Sequence, residues 1–158
     1  MLIGVISDTH GDVVATQRAI RVLDSFHVSL TIHCGDIGPE ILPLLKGRRI
    51  HFVSGNMEVS EPLPDVERNP EHTFHDRLGT LELKGCRVAF LHGDDVKLLH
   101  HTIQSGQWDL LCHGHTHAFS SGFEGRTLVL NPGALGRTGQ PSLAVVDLPS
   151  MEVTKIPL

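Results

Sequence analysis

A chain of 158 residues, 40% of them hydrophobic, can bury one sizeable core and is short for two, so a single domain over 1–158 is expected. No apolar run approaches the roughly 18 residues of a membrane span, and the short run at residues 2–6 lacks the basic lead of a secretory signal. The net charge of −5 without a basic cluster speaks against long nucleic acid as a partner, and the three cysteines form no C-x-x-C spacing, so free thiols in a reducing cytoplasm are expected.

Leu2-Ile3-Gly4-Val5-Ile6 is a continuous apolar run, the mark of a strand buried on both faces. Asp12 is placed to cap a helix in which Thr16, Ala19, Ile20, Leu23 and Phe26 recur at helical spacing. A second strand is expected over 28–33, a short helix opened by Pro39 and stopped at Gly47, and a third strand over 50–53. This β-α-β-α-β alternation implies a parallel sheet with right-handed crossovers. Residues 57–72, with Pro62, Pro64 and Pro70 among acidic residues, read as a long loop or flap. Strands over 78–83 and 87–91 flank Lys84-Gly85-Cys86 as a hairpin, and a helix over 96–103 precedes a strand at 109–112. Further strands are expected at 118–124, 126–130, 142–147 and 151–156. The expected fold is α/β, two mixed sheets packed face to face with helices outside.

Five of the strand ends carry residues that ligate divalent metals: Asp8-Thr9-His10, Gly35-Asp36, Gly55-Asn56, His92-Gly93 and Gly114-His115-Thr116-His117. Loops at the carboxyl ends of strands are where open α/β sheets gather their chemistry. Carboxylate and imidazole together suit borderline first-row ions such as Mn, Fe, Zn or Ni. Asp8, His10, Asp36, Asn56, His92, His115 and His117 make two carboxylates, four imidazoles and one amide, too many for a single ion. If Asp36 uses one oxygen for each of two ions, every ion has four ligands and room for water. Two carboxylates leave such a centre near +2, which attracts phosphate, and a pair of ions activates water and clamps an in-line phosphoryl transition state.

The order D-x-H, G-D, G-N, H-G and G-H-T-H resembles the calcineurin-like metallophosphoesterase superfamily. The short length and Asn131-Pro132-Gly133-Ala134 are similar to its small prokaryotic phosphodiesterase branch. The resemblance implies one ion on Asp8, His10, Asp36 and His117, and another on Asp36, Asn56, His92 and His115. Mn2+ is the metal it suggests first, with Ni2+, Fe2+, Co2+ and Zn2+ as alternatives. Asp36, Asn56 and His92 then belong to the catalytic centre. The implied activity is hydrolysis of a small phosphoester, most naturally a diester, by in-line attack of a hydroxide shared by the ions. A phosphomonoesterase with the same centre and a non-catalytic, protein-binding scaffold of the same fold are the alternatives, and a homo-oligomer is compatible with the family.

One departure stands out. Many members follow G-N with a histidine that protonates the leaving group, whereas this chain reads Gly55-Asn56-Met57-Glu58. A thioether has no proton to donate, so aryl and other good leaving groups are expected to be favoured over alkyl ones. His33 and Cys34 are expected to pack beside Asp36, and His113 to be held by a backbone partner. His27, His51, His72, His100 and His101 read as surface residues. His75 closes the proline-rich loop, outside the ligand set or within reach of a substrate, and Arg137 is placed to meet a phosphate or simply solvent.

Overall fold

The computed structural model describes residues 1–60 and 69–158. In chain order its elements are β1 (Leu2–Ile6), α1 (Val13–Ser25), β2 (Thr31–His33), a 3-10 segment (Pro39–Leu45), β3 (Ile50–Phe52), a short helix α2 (Asn56–Ser60) and β4 (His72–Phe74). There follow β5 (Leu78–Leu83), β6 (Cys86–Leu91), α3 (Val96–Gln104), β7 (Leu110–Cys112), β8 (Ser120–Glu124), β9 (Thr127–Asn131), β10 (Ser142–Asp147) and β11 (Glu152–Pro157).

They form two mixed sheets, as expected. The first has six strands in the order β11-β10-β1-β2-β3-β4, with β1 to β4 parallel and β10 antiparallel to β1. The second has five, in the order β5-β6-β7-β9-β8, with β6, β7 and β9 parallel. Side chains alternate across each strand, and that alternation sorts the core into layers. Ile3, Val5 and Ile32 from the first sheet meet Val88, Phe90, Leu110, Cys112, Leu128 and Leu130 from the second. Ile6, Leu143 and Val145 face outward and are covered by Ala15, Ala19 and Leu23 of α1. Ala89, Leu91 and Leu111 face outward on the second sheet and pack with Leu98, Leu99 and Ile103 of α3. Each such Val, Leu, Ile or Phe contributes about 1.5–3 kcal/mol on full burial.

Local chemistry sets the element ends. The Asp12 side chain accepts the Ala15 N–H to cap α1, and Asp95 accepts the Leu98 N–H to cap α3. Lys84 and Gly85 both take positive φ, 53° and 82°. That is the two-residue turn that matches strand twist, so Cys86 already belongs to β6 rather than to the turn.

Three expectations are corrected. The stretch 57–72 is not loop throughout: it begins in α2 and ends in β4, which joins the sheet by parallel pairing with β3; residues 61–68, with Pro62 and Pro64, lie outside the described residues. The second strand covers only 31–33, because His27 turns the chain at φ 52°. His51 is 5% exposed rather than a surface residue; its ring lies 6.4 Å from that of Phe90, and its Nδ1 is 2.9 Å from His75 Nε2. His75 is thereby engaged with His51.

Burial, helped by neighbouring imidazoles, lowers the pKa of His33 to about 3, and burial with nearby His75 and Arg49 lowers that of His51 to about 4. Both values lie below the ordinary 6.5, so the unfolded chain takes up these protons first as pH falls. Their stabilising effect is complete above about pH 6.5 and is lost as pH falls toward 4. Denaturant unfolding at pH 5.0 is expected to show a loss of about 1–2 kcal/mol per ring relative to pH 7.5, and His51→Phe to shrink that difference. Equal midpoints at the two pH values would contradict this.

Candidate metal centre

All seven candidate residues follow strand ends on one rim of the sandwich. Asp8 and His10 follow β1, Asp36 follows β2, Asn56 opens α2 after β3, His92 follows β6, and His115 and His117 follow β7. Parallel strands β1, β2 and β3 in one sheet and β6 and β7 in the other deliver their carboxyl ends to the same side. The loops are bound to one another by backbone hydrogen bonds: Asp8 N–H to Gly35 O (3.0 Å), His10 N–H to Asp36 O (3.0 Å) and Gly114 N–H to His92 O (2.8 Å).

Asp8, His10, Asp36, His115 and His117 all adopt positive φ, between 47° and 67°. Left-handed backbone costs a non-glycine residue roughly 1–2 kcal/mol, and it persists where the surroundings over-determine it. Here it helps bring four of the five side chains, those of Asp8, His10, Asp36 and His117, into one crevice. Gly55 and Gly114 permit the close approach. A Cβ on Gly55 would collide with the Asp36 carboxylate, and one on Gly114 with Ser7 Oγ and Asp8 Oδ2.

Two sets of three donor atoms come together, Asp8 with His10 and His117, and Asp8 with Asp36 and His92. Asp36 spans the crevice: its Oδ2 lies 3.9 Å from His10 Nε2, and its Oδ1 lies 3.5 Å from His92 Nε2. Asn56 Oδ1 stands 3.2 Å from His92 Nε2. His115 joins neither set through its ring nitrogens; its ring packs edge-on 5.1 Å from His92, and its backbone N–H donates to Asp8 Oδ2 at 3.1 Å.

The donor set fits cations. His92 Nδ1 is 2.7 Å from Cys34 O, so that nitrogen carries the proton and donates it. With Nδ1 engaged there, Nε2 faces two oxygens, Asn56 Oδ1 and Asp36 Oδ1, that are themselves acceptors. Lone pairs converging without a hydrogen between them call for a positive ion. Asp8 Oδ1 is fully buried and accepts no hydrogen bond, with His117 Nε2 at 3.2 Å and His10 Nε2 at 3.8 Å. An unsatisfied buried carboxylate oxygen is costly, and a metal ion satisfies it. Burial holds the His10 imidazole below its ordinary pKa against the opposing pull of the Asp36 carboxylate, with the nearby Arg137 charge acting in the same direction as burial. A neutral imidazole is the ligating form.

Supporting residues fix these loops, and Glu58 and Thr9 among them were not assigned this work from the sequence. Glu58, 7% exposed, accepts the N–H groups of Asp36 (3.0 Å), Ile37 (2.8 Å) and Gly55 (2.7 Å), tying the Asp36 loop to the Asn56 loop. Its signal was an acid two residues after Asn56. Thr9 Oγ1 donates to Ile37 O at 2.6 Å and accepts from His33 Nε2 at 2.9 Å, while Gly35 N–H donates to His33 Nδ1. Asn131 donates to Gly114 O (2.8 Å) and Thr116 Oγ1 (3.0 Å) and accepts from Gly133 N–H, fixing the 114–117 turn. His113 stays at the edge, its Nδ1 3.2 Å from Gly114 O. Met57 places its sulfur 2.9 Å from His10 Nδ1.

Residues 1–151 match the calcineurin-like phosphoesterase superfamily domain. The chain belongs to the calcineurin-like phosphoesterase superfamily. Within that superfamily it is 28% identical over 168 aligned residues to a phosphodiesterase of Methanocaldococcus jannaschii, covering 100% of this chain and 99% of the relative. It is 35% identical over 160 residues to a probable metallophosphoesterase of Methanothermobacter thermautotrophicus, covering 94% of this chain and 86% of the relative. The solved structure of an archaeal phosphodiesterase superposes with a TM-score of 0.87 at 28% identity, each chain covered completely. The calcineurin-like fold therefore accounts for both sheets.

The Glu58 clamp generates a direct test. In Glu58→Gln the amide nitrogen must face a backbone N–H, which costs about 1–3 kcal/mol. Groups that orient metal ligands typically change metal affinity 10–100-fold when altered. Thermal melts and calorimetric Mn2+ titrations are expected to show both losses; wild-type behaviour in both would contradict the clamp.

Proposed function

We propose that this chain is a phosphodiesterase with a dinuclear metal centre, in which Asp8, His10, Asp36 and His117 hold one ion and Asp36, Asn56, His92 and His115 hold the other. The observation that carries this is Asp36, which turns one carboxylate oxygen toward His10 and the other toward His92. The archaeal relatives named phosphodiesterase support the diester as substrate. Mn2+ is the metal proposed first, since a mixed set of carboxylate, amide and imidazole suits borderline first-row ions.

When bound, two divalent ions would supply Lewis-acid stabilisation of the phosphoryl oxygens and a water of lowered pKa. The protein's own residues set the conditions for that chemistry. His92 is fixed as the Nδ1–H tautomer by Cys34 O, so its Nε2 stays available toward the crevice. Met57 N–H donates to Asp36 Oδ1 at 2.9 Å and holds that carboxylate in place across the crevice. Asn56 is exposed at the head of α2 and faces the mouth, where a substrate oxygen would arrive. Met57, beside it, offers no proton to a departing alkoxide.

A small substrate fits this placement. All seven positions carry donor groups and six of them bring those groups together, which a purely scaffolding role would leave unexplained. No helix among the described residues is long and apolar enough to cross a membrane, in keeping with action on small phosphoesters in solution.

The test compares three substrates with Mn2+: bis(nitrophenyl) phosphate, nitrophenyl phosphate and a simple dialkyl phosphate. The aryl diester is expected to exceed the monoester by at least about tenfold in kcat/KM and the dialkyl ester by more than about 10²-fold, the lower bound of a missing general acid. A faster monoester would move the reading to a phosphomonoesterase. Equal aryl and alkyl diester rates would overturn the role given to Met57.

A further inference from the structure

Beside the candidate metal centre a groove of about 380 Å³ opens from His117 and reaches the edge strand β11. It is lined by Phe119, Thr138, Gln140, Ser142 and Lys155 in addition to His117. The volume falls in the range of small-ligand sites. None of the groove-lining residues beyond His117 is among the metal-facing groups described above.

The lining is specific in its chemistry. Phe119 is half-buried, packed against the inter-sheet core, and sits just before β8 at the rim. Lys155 lies opposite Ala144 in the register of β10 and β11, and its ammonium is 5.0 Å from the centroid of the Phe119 ring. Among the described residues no carboxylate lies within ion-pair distance of Lys155. The same holds for Arg137, an exposed cation close enough to His10 to act on its ring. Ser142 Oγ is committed to Pro132 O at 2.8 Å, and Thr138 Oγ1 accepts the Gln140 N–H at 3.2 Å. Those bonds shape the groove and leave its charge to Lys155.

In a chain of net charge −5, Lys155 is an exposed cation with no carboxylate beside it among the described residues, next to a centre that would attract phosphate. It would repel a cationic alcohol, and an uncharged one would leave its charge to the Phe119 ring and solvent. An anionic group reaching out from the scissile phosphate would meet it.

We propose that this groove is a substrate subsite that selects phosphodiesters whose organic group carries a second phosphate, bound by Lys155 beside Phe119. The inference rests on the phosphodiesterase reading and adds the substrate class to it.

The test uses the full chain with Mn2+ and two substrates that release the same phenol: the nitrophenyl ester of thymidine 5′-phosphate, with and without a 3′-phosphate. The readout is the ratio of their kcat/KM values in each protein. In the wild type the 3′-phosphate is expected to raise kcat/KM about three- to tenfold, through KM. Lys155→Ala is expected to bring the ratio close to one, Lys155→Glu to invert it, and Lys155→Arg to preserve it. A wild-type ratio of one, or the same ratio in Lys155→Ala as in the wild type, would overturn the proposal. If neither ester is hydrolysed with any divalent metal, the phosphodiesterase reading fails, and calorimetry decides the subsite separately. There, tighter binding of thymidine 3′,5′-bisphosphate than of thymidine 5′-phosphate, lost in Lys155→Ala, supports it. Equal binding of the two nucleotides, or an advantage unchanged by Lys155→Ala, overturns it.

Discussion

Asp8 and Asp36 are buried carboxylates, 0% and 3% exposed, that share a crevice with four imidazoles, and no lysine or arginine among the described residues pairs with either. Burying ionised carboxylates without counter-charge is expensive. The local structure adds to that expense: both carboxylates, with His10, His115 and His117, hold left-handed backbone. A bound cation resolves the charge problem, and the loops are shaped so that it can.

The rest of the molecule can be understood as support for that crevice. Parallel pairing of β1, β2 and β3, and of β6 with β7, brings loop ends from distant parts of the chain to one rim. The inter-sheet core of Ile3, Val5, Ile32, Phe90, Leu110 and Leu130 fixes the two sets of loops against each other. Glu58, Thr9, His33 and Asn131 then lock the loops through hydrogen bonds that never face the crevice directly. Rigid donors of this kind reduce what a ligand must reorganise on binding. The groove toward Lys155 extends the same surface outward from His117.

Much of this was legible in the sequence, for physical reasons. Continuous apolar runs such as 2–6 mark strands buried on both faces, and Asp12 and Lys84-Gly85 announce a cap and a turn through local chemistry alone. The seven donor residues stood out because each follows a strand, where a parallel sheet exposes its loops. What could not be read depended on partners. His72-Thr73-Phe74 is too short and too close to Pro70 to signal a strand, and becomes one only by pairing with β3. His51 looked like a surface residue because its neighbours Ile50 and Phe52 face the opposite side of β3, and its own face meets Phe90 and His75 only in three dimensions. Glu58 appeared as an ordinary acid near a motif, and only the folded loops supply the three N–H groups that it accepts.

The central claim is that Asp36 stands between two cations. Counting metal answers it most directly: load the chain with Mn2+, remove the free ion, and measure metal per protein by mass spectrometry. The account predicts two ions per chain, falling to one or none in Asp36→Ala while the fold is retained. A wild-type count of zero, or a single ion whose binding is indifferent to Asp36→Ala, would contradict it.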